Sequence, residues 1–456
     1  MDTQLWNQIE KFDLDNPNDE YGFSTRLASE NSWTIYFTKK AILEYKKFMY
    51  LAATSNEMVS PSEIVDIVWH QHLIFTNSYS DLCNILSKRI EHIPSTHNKA
   101  EKDKFHKAKE VTKNLYELNF GKQPEEIWIF RNPMASLQLN NANYNLGILK
   151  IIFLASFILL SFPISFLIKP VLIQIGNPNF VWYYIFLFAF VTFILMQFVK
   201  KACNSMIEKI KPKLIISNLT PFELIFFQKN DLDYVIHGVV NNLIENRRVQ
   251  VTGNKLNLID DKLTNNPYEN CVIEIMKEYD LIPYPQLNQL IKNKPVFQQI
   301  KKGVEKIRET ILDSKQFLFI IKAAMLVFGL LLSIGVSRII IGISREKAVT
   351  KIVFLTIILA AISYYYFKKI VNYLFFNTIH STFKKEKNNT DPEQDWQWNY
   401  FLYGGLTVSF MPLAMPENNK FTSSNSSSGS GSSCGSSCGN SCGSSCGSSC
   451  GGCGGD

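Results

Sequence analysis

Long apolar runs alternate with amphipathic and polar stretches along this chain, and the alternation divides it into parts. Residues 148–168, 180–199, 317–337 and 352–367 are apolar enough, and nearly long enough, to cross a bilayer, which takes about 20 residues of helix. Pro163 is tolerable inside a bundle of such helices, and Trp182, Tyr183 and Tyr184 suit an interfacial aromatic belt. Lys322 can reach back to the interface from the third run, and Tyr364, Tyr365 and Tyr366 end the fourth. The pattern predicts a mainly α protein: a helical soluble N-terminal domain over 1–147, transmembrane helices over 148–199 and 317–367, and a middle domain over 200–316. A juxtamembrane segment over 368–420 and a disordered tail over 421–456 follow.

Within the N-terminal domain, "WTIYFTKKAILEYKKFMYLAA" sets Trp33, Phe37, Ile42, Tyr45, Phe48, Met49 and Leu51 near helical spacing, which predicts a core-facing stripe. A second helix is expected from Lys102 to Phe120, stopped by Gly121, and "KQPEEIW" reads as a turn with a short anchor. In the middle domain, Thr220 with Pro221 and Glu223 forms a capping-box start, and Asp231 opens a second amphipathic helix. "RVQV" and "LNLI", separated by "TGNK", alternate as the strands of a hairpin. Helix, helix and hairpin make a winged-helix-like α+β insertion. Arg247 and Arg248 alone are too thin a basic signal for nucleic acid, so the module is expected to meet proteins.

Composition changes the picture in three places. The 456 residues exceed one core, and the net charge of +7 with near-neutral mean hydropathy conceals how strongly the apolar residues are segregated. The first residues are polar and acidic, so no cleavable signal peptide is expected and targeting falls to an internal segment. Lys150, Lys200, Lys201, Lys209, Lys211, Lys213, Lys315, Lys368 and Lys369 flank the runs on one side, against Lys169, Arg338, Arg345, Lys347 and Lys351 on the other. That balance places both termini in the cytoplasm, although the second set makes one outer loop unexpectedly basic.

The candidate chemistry lies in two places. In "MVSPSEIVDIVWHQHLIF", Ser60, Pro61 and Glu63 predict a helix start, so His70 and His72 lie on a helix and point to nearly opposite sides. Val65, Val68, Trp69, His72 and Phe75 share one side, making His72 a core histidine. Asp66 and His70 are four residues apart on another face, where the carboxylate can bond one ring nitrogen. Cys83 and His92 follow after a turn, and His70, Cys83 and His92 with Asp66 or His72 would suit zinc. The second place is the tail, where Cys434, Cys438, Cys442, Cys446, Cys450 and Cys453 recur mostly as C-x-x-x-C in a Ser/Gly background. Those thiols read as soft-metal or redox groups, as disulfides, as lipidation sites, or as substrates for enzymatic cross-linking. There is no P-loop, complete dinucleotide fingerprint or His-Glu-x-x-His, and the apolar runs lack the carboxylates of an ion-coupled transporter.

The run from "EYKKFMYLAATSNEMVSPSEIVDIVWHQHLIFTNSYSDLC" through "EHIP" to "LYELNFGKQPEEIW" resembles the glycine-rich domain-containing protein-like family. Asp66, Trp69, His70, His72, Tyr79, Cys83 and His92 stand where its Val-Asp-x-x-Trp-His-x-His, Tyr, Cys and His stand. The resemblance implies a shared site and brings no reaction with it. The remainder, with "LTPFELIFF", "ISREKAV", "FLYGGL" and a low-complexity end, is similar to bacterial multi-span membrane proteins with Gly/Cys-rich tails, which implies an inner-membrane location. In this chain Ser replaces much of the Gly.

Two functions are expected. One is a membrane-anchored scaffold or sensor that takes zinc or another soft metal through its tail cysteines, with a second site around His70, Cys83 and His92. The other is a metal- or His/Cys-dependent enzyme of a peptide modification or export system. The expected partners are the lipid bilayer, proteins that meet the middle domain, and further copies of the chain.

Overall fold

A computed structural model describes residues 1–16, 19, 21–93, 102–142, 146–378 and 396–407. The described residues are mainly helical with one small sheet. The N-terminal helices are α1 (Thr3–Lys11), α2 (Phe23–Asn31), α3 (Ile35–Thr54), α4 (Glu63–Ile74), α5 (Thr76–Ile85), α6 (Lys102–Phe120) and α7 (Glu125–Trp128). They close around α3, whose start is capped by Thr34 and whose buried face includes Phe37, Tyr45, Phe48, Met49 and Leu51. Gly121 ends α6 at φ 82°, a left-handed conformation that suits glycine. The anchor expected at "KQPEEIW" is α7: the Trp128 indole and the Tyr116 hydroxyl both donate to the buried Glu44 carboxylate, at 2.7 and 2.8 Å.

Among the described residues, four helices are long and apolar enough to cross a membrane: α8 (Leu146–Gln174), α9 (Asn177–Ile210), α16 (Lys315–Ser344) and α17 (Thr350–Asn372), the last continued by a π turn over Tyr373–Thr378. All four overrun their apolar cores, α9 as far as Ile210. Helix α16 is the most enclosed and packs on α8, α9 and α17. The segments leading into α8 and α16 pair side by side, Ala142 N–H on the Asp313 carbonyl and Lys315 N–H on that of Asn140, so these helices start from a shared clamp. Trp182 and Tyr183 face outward as a belt requires. Tyr184 does not: it turns inward and donates to the Leu331 carbonyl at 3.0 Å, because it lies on the face of α9 that meets α16.

At Gly335 on α16, α9 and α17 both approach closely. A Cβ there would stand 2.6 Å from both Thr356 Oγ1 and Tyr184 Oη. Gly335→Leu is expected to cost roughly 1–3 kcal/mol from overpacking and to lower the melting temperature in detergent. An unchanged melting curve would mean that the helices do not meet there.

Between α9 and α16 lie α10 (Leu214–Ser217), α11 (Pro221–Lys229), α12 (Leu232–Glu245), β1 (Val249–Thr252), β2 (Lys255–Leu258), α13 (Pro267–Lys277), β3 (Ile282–Pro283), α14 (Tyr284–Lys292) and α15 (Pro295–Leu312). The winged-helix-like order is present as α11, α12 and the β1–β2 hairpin. Thr252 pairs with Lys255, so the turn is only Gly253-Asn254, shorter than "TGNK" suggests, with Gly253 at φ 61°. A third strand, too short to read from sequence, joins as β3 antiparallel to β2. Arg248 is committed to Asp260 at 3.1 Å. Helix α18 (Trp396–Thr407) packs on α11 and α12, its Tyr400 ring lying over Gly238.

Helix α11 is nearly all apolar and nearly all buried, which makes its one carboxylate notable. Glu223 completes the capping box with Thr220, accepting from its N–H at 2.8 Å and its hydroxyl at 3.0 Å. Its other oxygen accepts the Ile35 N–H at 2.8 Å, in the first turn of α3. One carboxylate therefore serves two helix N-termini, where negative charge is favoured. Burial pushes its pKa up, while those hydrogen bonds and the Lys39 charge hold it down.

Candidate metal centre

Helix α4 starts later than the capping-box pattern suggests. Its cap is Ser62, whose hydroxyl accepts the Val65 N–H at 3.2 Å. Ser60 is instead stitched to α6: its N–H donates to Thr112 Oγ1 at 2.8 Å, and that hydroxyl donates back to the Ser60 carbonyl. The helix runs through both histidines and breaks at Phe75, at φ −87° and ψ 66°, before α5 begins.

His72 is fully enclosed. Tyr45 Oη lies 2.8 Å from its Nδ1 and Ser78 Oγ lies 3.0 Å from its Nε2, while Phe12, Phe23, Tyr45 and Tyr79 surround the ring. Burial pulls its pKa down to about 4, since no carboxylate offsets the lost hydration. His72 is thus a neutral, doubly bonded core group, as the wheel predicts, and Tyr45 is the partner that sequence spacing did not reveal.

On the opposite side of α4, His70 Nε2 lies 3.5 Å from Asp66 Oδ2. His92 Nε2 lies 2.9 Å from Asp66 Oδ1, and the two imidazoles are 4.4 Å apart between centroids. All three ligand atoms fall within 4.8 Å of one another. The side chains are graded in exposure, 59% for His70, 38% for Asp66 and 15% for His92, so the cluster opens to solvent on one side.

His92 comes from a loop, and its placement has an identifiable cause. Tyr79 on α5 donates to the Ile90 carbonyl and accepts from the Trp69 indole at 3.2 Å. Trp69 then meets the His92 ring edge to face at 4.6 Å. The two aromatics on the buried side of α4 and α5 fix the loop that delivers His92 to the exposed side. Burial raises the Tyr79 hydroxyl to about 12, which keeps it a neutral donor.

Cys83 does not join this cluster. It lies one turn beyond Tyr79 on the same inward face of α5, buried in the core beside that phenol. The tail cysteines Cys434, Cys438, Cys442, Cys446, Cys450 and Cys453 lie outside the described residues.

The chemistry of Asp66, His70 and His92 fits a borderline divalent ion. Tetrahedral zinc bound at about 2.1 Å sets its ligand atoms about 3.4 Å apart; here Asp66 reaches His92 at 2.9 Å through Oδ1 and His70 at 3.5 Å through Oδ2, and the three ligand atoms lie within 4.8 Å of one another. Three ligands on an open face leave a fourth position for water or another group. No protein family, curated protein or solved structure matches the chain. The site is accordingly read from its own residues.

Proposed function

We propose that the chain is a multi-pass membrane protein acting as a membrane-anchored scaffold or sensor that binds zinc or a similar soft divalent metal. The supporting observation is the Asp66, His70 and His92 cluster, two imidazoles and a carboxylate already converged and half open to water. The tail thiols would form a second, softer set. Metal entry would replace the hydrogen bond between Asp66 and His92 and tie the loop at His92 to α4. The N-terminal helices rest on the middle helices through Glu223 and α15, so a stiffened site has a rigid route toward the spans. On the Lys and Arg balance both termini face the cytoplasm of a bacterial inner membrane.

Metal analysis of the full chain tests this reading. After equilibration with zinc and gel filtration in detergent, a full chain with its six tail cysteines changed to serine should retain about one zinc. The same chain carrying His70→Ala and His92→Ala should retain none. If the chain with all its native residues holds no zinc, copper or iron above buffer, the proposal fails.

A second reading is favoured by the open fourth position, which catalytic zinc sites share. It makes the cluster the centre of a peptide-modifying or export enzyme. With Cys83 buried, such an enzyme would depend on metal-bound water rather than a thiol.

A further inference from the structure

The basic loop that runs against the charge balance has a structural setting. Residues 173–177, joining α8 to α9, and residues 342–352, joining α16 to α17, border a half-open cavity of about 220 Å³. Arg338, Arg345 and Lys347 line it, and no described carboxylate pairs with any of the three. Arg338 is nearly buried: its guanidinium donates to the Leu172 and Ile175 carbonyls and to Asn177 Oδ1 at 2.9 Å, and lies 4.9 Å from the Phe180 ring centre. Those partners are neutral, so they hold the arginine in place without cancelling its charge. Gly176 and Asn177, the cap and first residue of the 34-residue helix α9, also line the cavity, and no side chain caps that helix end. The uncapped N-terminus adds further positive potential.

The rest of the wall is aliphatic: Ile341 and Ile352 are buried behind it, while Ile173 in the wall and Ile343 beside it are exposed. A cluster of unmatched cations over exposed aliphatics, at one end of four membrane-length helices, matches a phosphate carrying acyl chains better than a free anion. We propose that this cavity binds the phosphodiester of an anionic phospholipid. Arg345 and Lys347 would contact the phosphate oxygens, Arg338 would supply fixed charge behind them, and the exposed Ile173 and Ile343 would lie along the acyl chains.

The test uses the full chain in mild detergent, offered phosphatidylglycerol or phosphatidylcholine, with retained lipid counted by native mass spectrometry. The unaltered chain should favour phosphatidylglycerol by about tenfold, and Arg345→Ala with Lys347→Ala should abolish that preference. Lys368→Ala with Lys369→Ala, on the opposite flank, should retain it, and millimolar inorganic phosphate should not displace the lipid. Arg338 is left intact in every variant because it holds the end of α8, and the helical circular dichroism of each should be unchanged. Equal retention of both lipids by the unaltered chain, a preference that survives in the Arg345/Lys347 variant, or full displacement by inorganic phosphate would each overturn the proposal.

Discussion

Gly303→Leu is expected to detach the N-terminal helices from α15 and to destabilise the chain by several kcal/mol. Helix α15 passes so near the junction of α2 and α3 that a Cβ at Gly303 would stand 2.7 Å from the Trp33 carbonyl oxygen, 3.0 Å from its carbon and 3.2 Å from the Thr34 nitrogen. All three are backbone atoms, so no side chain can rotate out of the way. Thr34 is also the cap of α3, and the next residue, Ile35, gives its N–H to Glu223. Displacing the junction therefore disturbs the helix start and leaves a buried carboxylate short of a donor, which alone costs about 1–3 kcal/mol. Gly303→Ala should show the smaller cost of about 1–3 kcal/mol typical of overpacking. Thermal unfolding in detergent, with limited proteolysis around residue 32, reads both effects. If Gly303→Leu melts and is cleaved like the unaltered chain, the close approach is absent.

Much of this architecture was legible because it follows from periodicity. Apolar runs longer than any strand read as helices, and the 3.6-residue repeat by itself separates His72 from His70. The errors share one cause, which is that a local pattern cannot see its tertiary partner. Ser60 carries a capping signature, yet Thr112 on α6 occupies its backbone and the cap passes to Ser62. Tyr184 belongs by composition to an aromatic belt, yet α16 offers it the Leu331 carbonyl.

The candidate metal centre follows the same division. Asp66 and His70 are one helical turn apart and could be paired from spacing. The approach of His92 depends on Tyr79 gripping the Ile90 carbonyl and Trp69 supporting the ring, neither of which has a local signature. Cys83 fell outside the cluster because its turn of helix places it beside Tyr79, which faces the core. Arg338 read as a flanking charge, and only the carbonyls of Leu172 and Ile175 reveal it as a buried brace.

Acid is expected to loosen the N-terminal helices between about pH 6.5 and pH 4, and His72 is the cause. In the folded chain its pKa is lowered to about 4 from an ordinary value of 6.5, because protonation would place a charge among four aromatic rings. Above pH 6.5 the ring is neutral in both folded and unfolded chains and has no pH-dependent effect. As the pH falls the unfolded chain takes up the proton first, so stability is lost progressively and levels off once the folded ring also titrates. The full span corresponds to about 3 kcal/mol. Protonation would also make both ring nitrogens donors, so whichever of the Tyr45 and Ser78 hydroxyls donates to the neutral ring would have to give up that role. Replacement by glutamine keeps polar atoms near Tyr45 and Ser78 and removes the titration. His72→Gln should therefore be less stable than the unaltered chain at pH 7.5 and should approach it near pH 4.5. Melting temperatures of the two chains in detergent across that range provide the check, and curves that stay parallel would show that His72 does not carry the acid sensitivity.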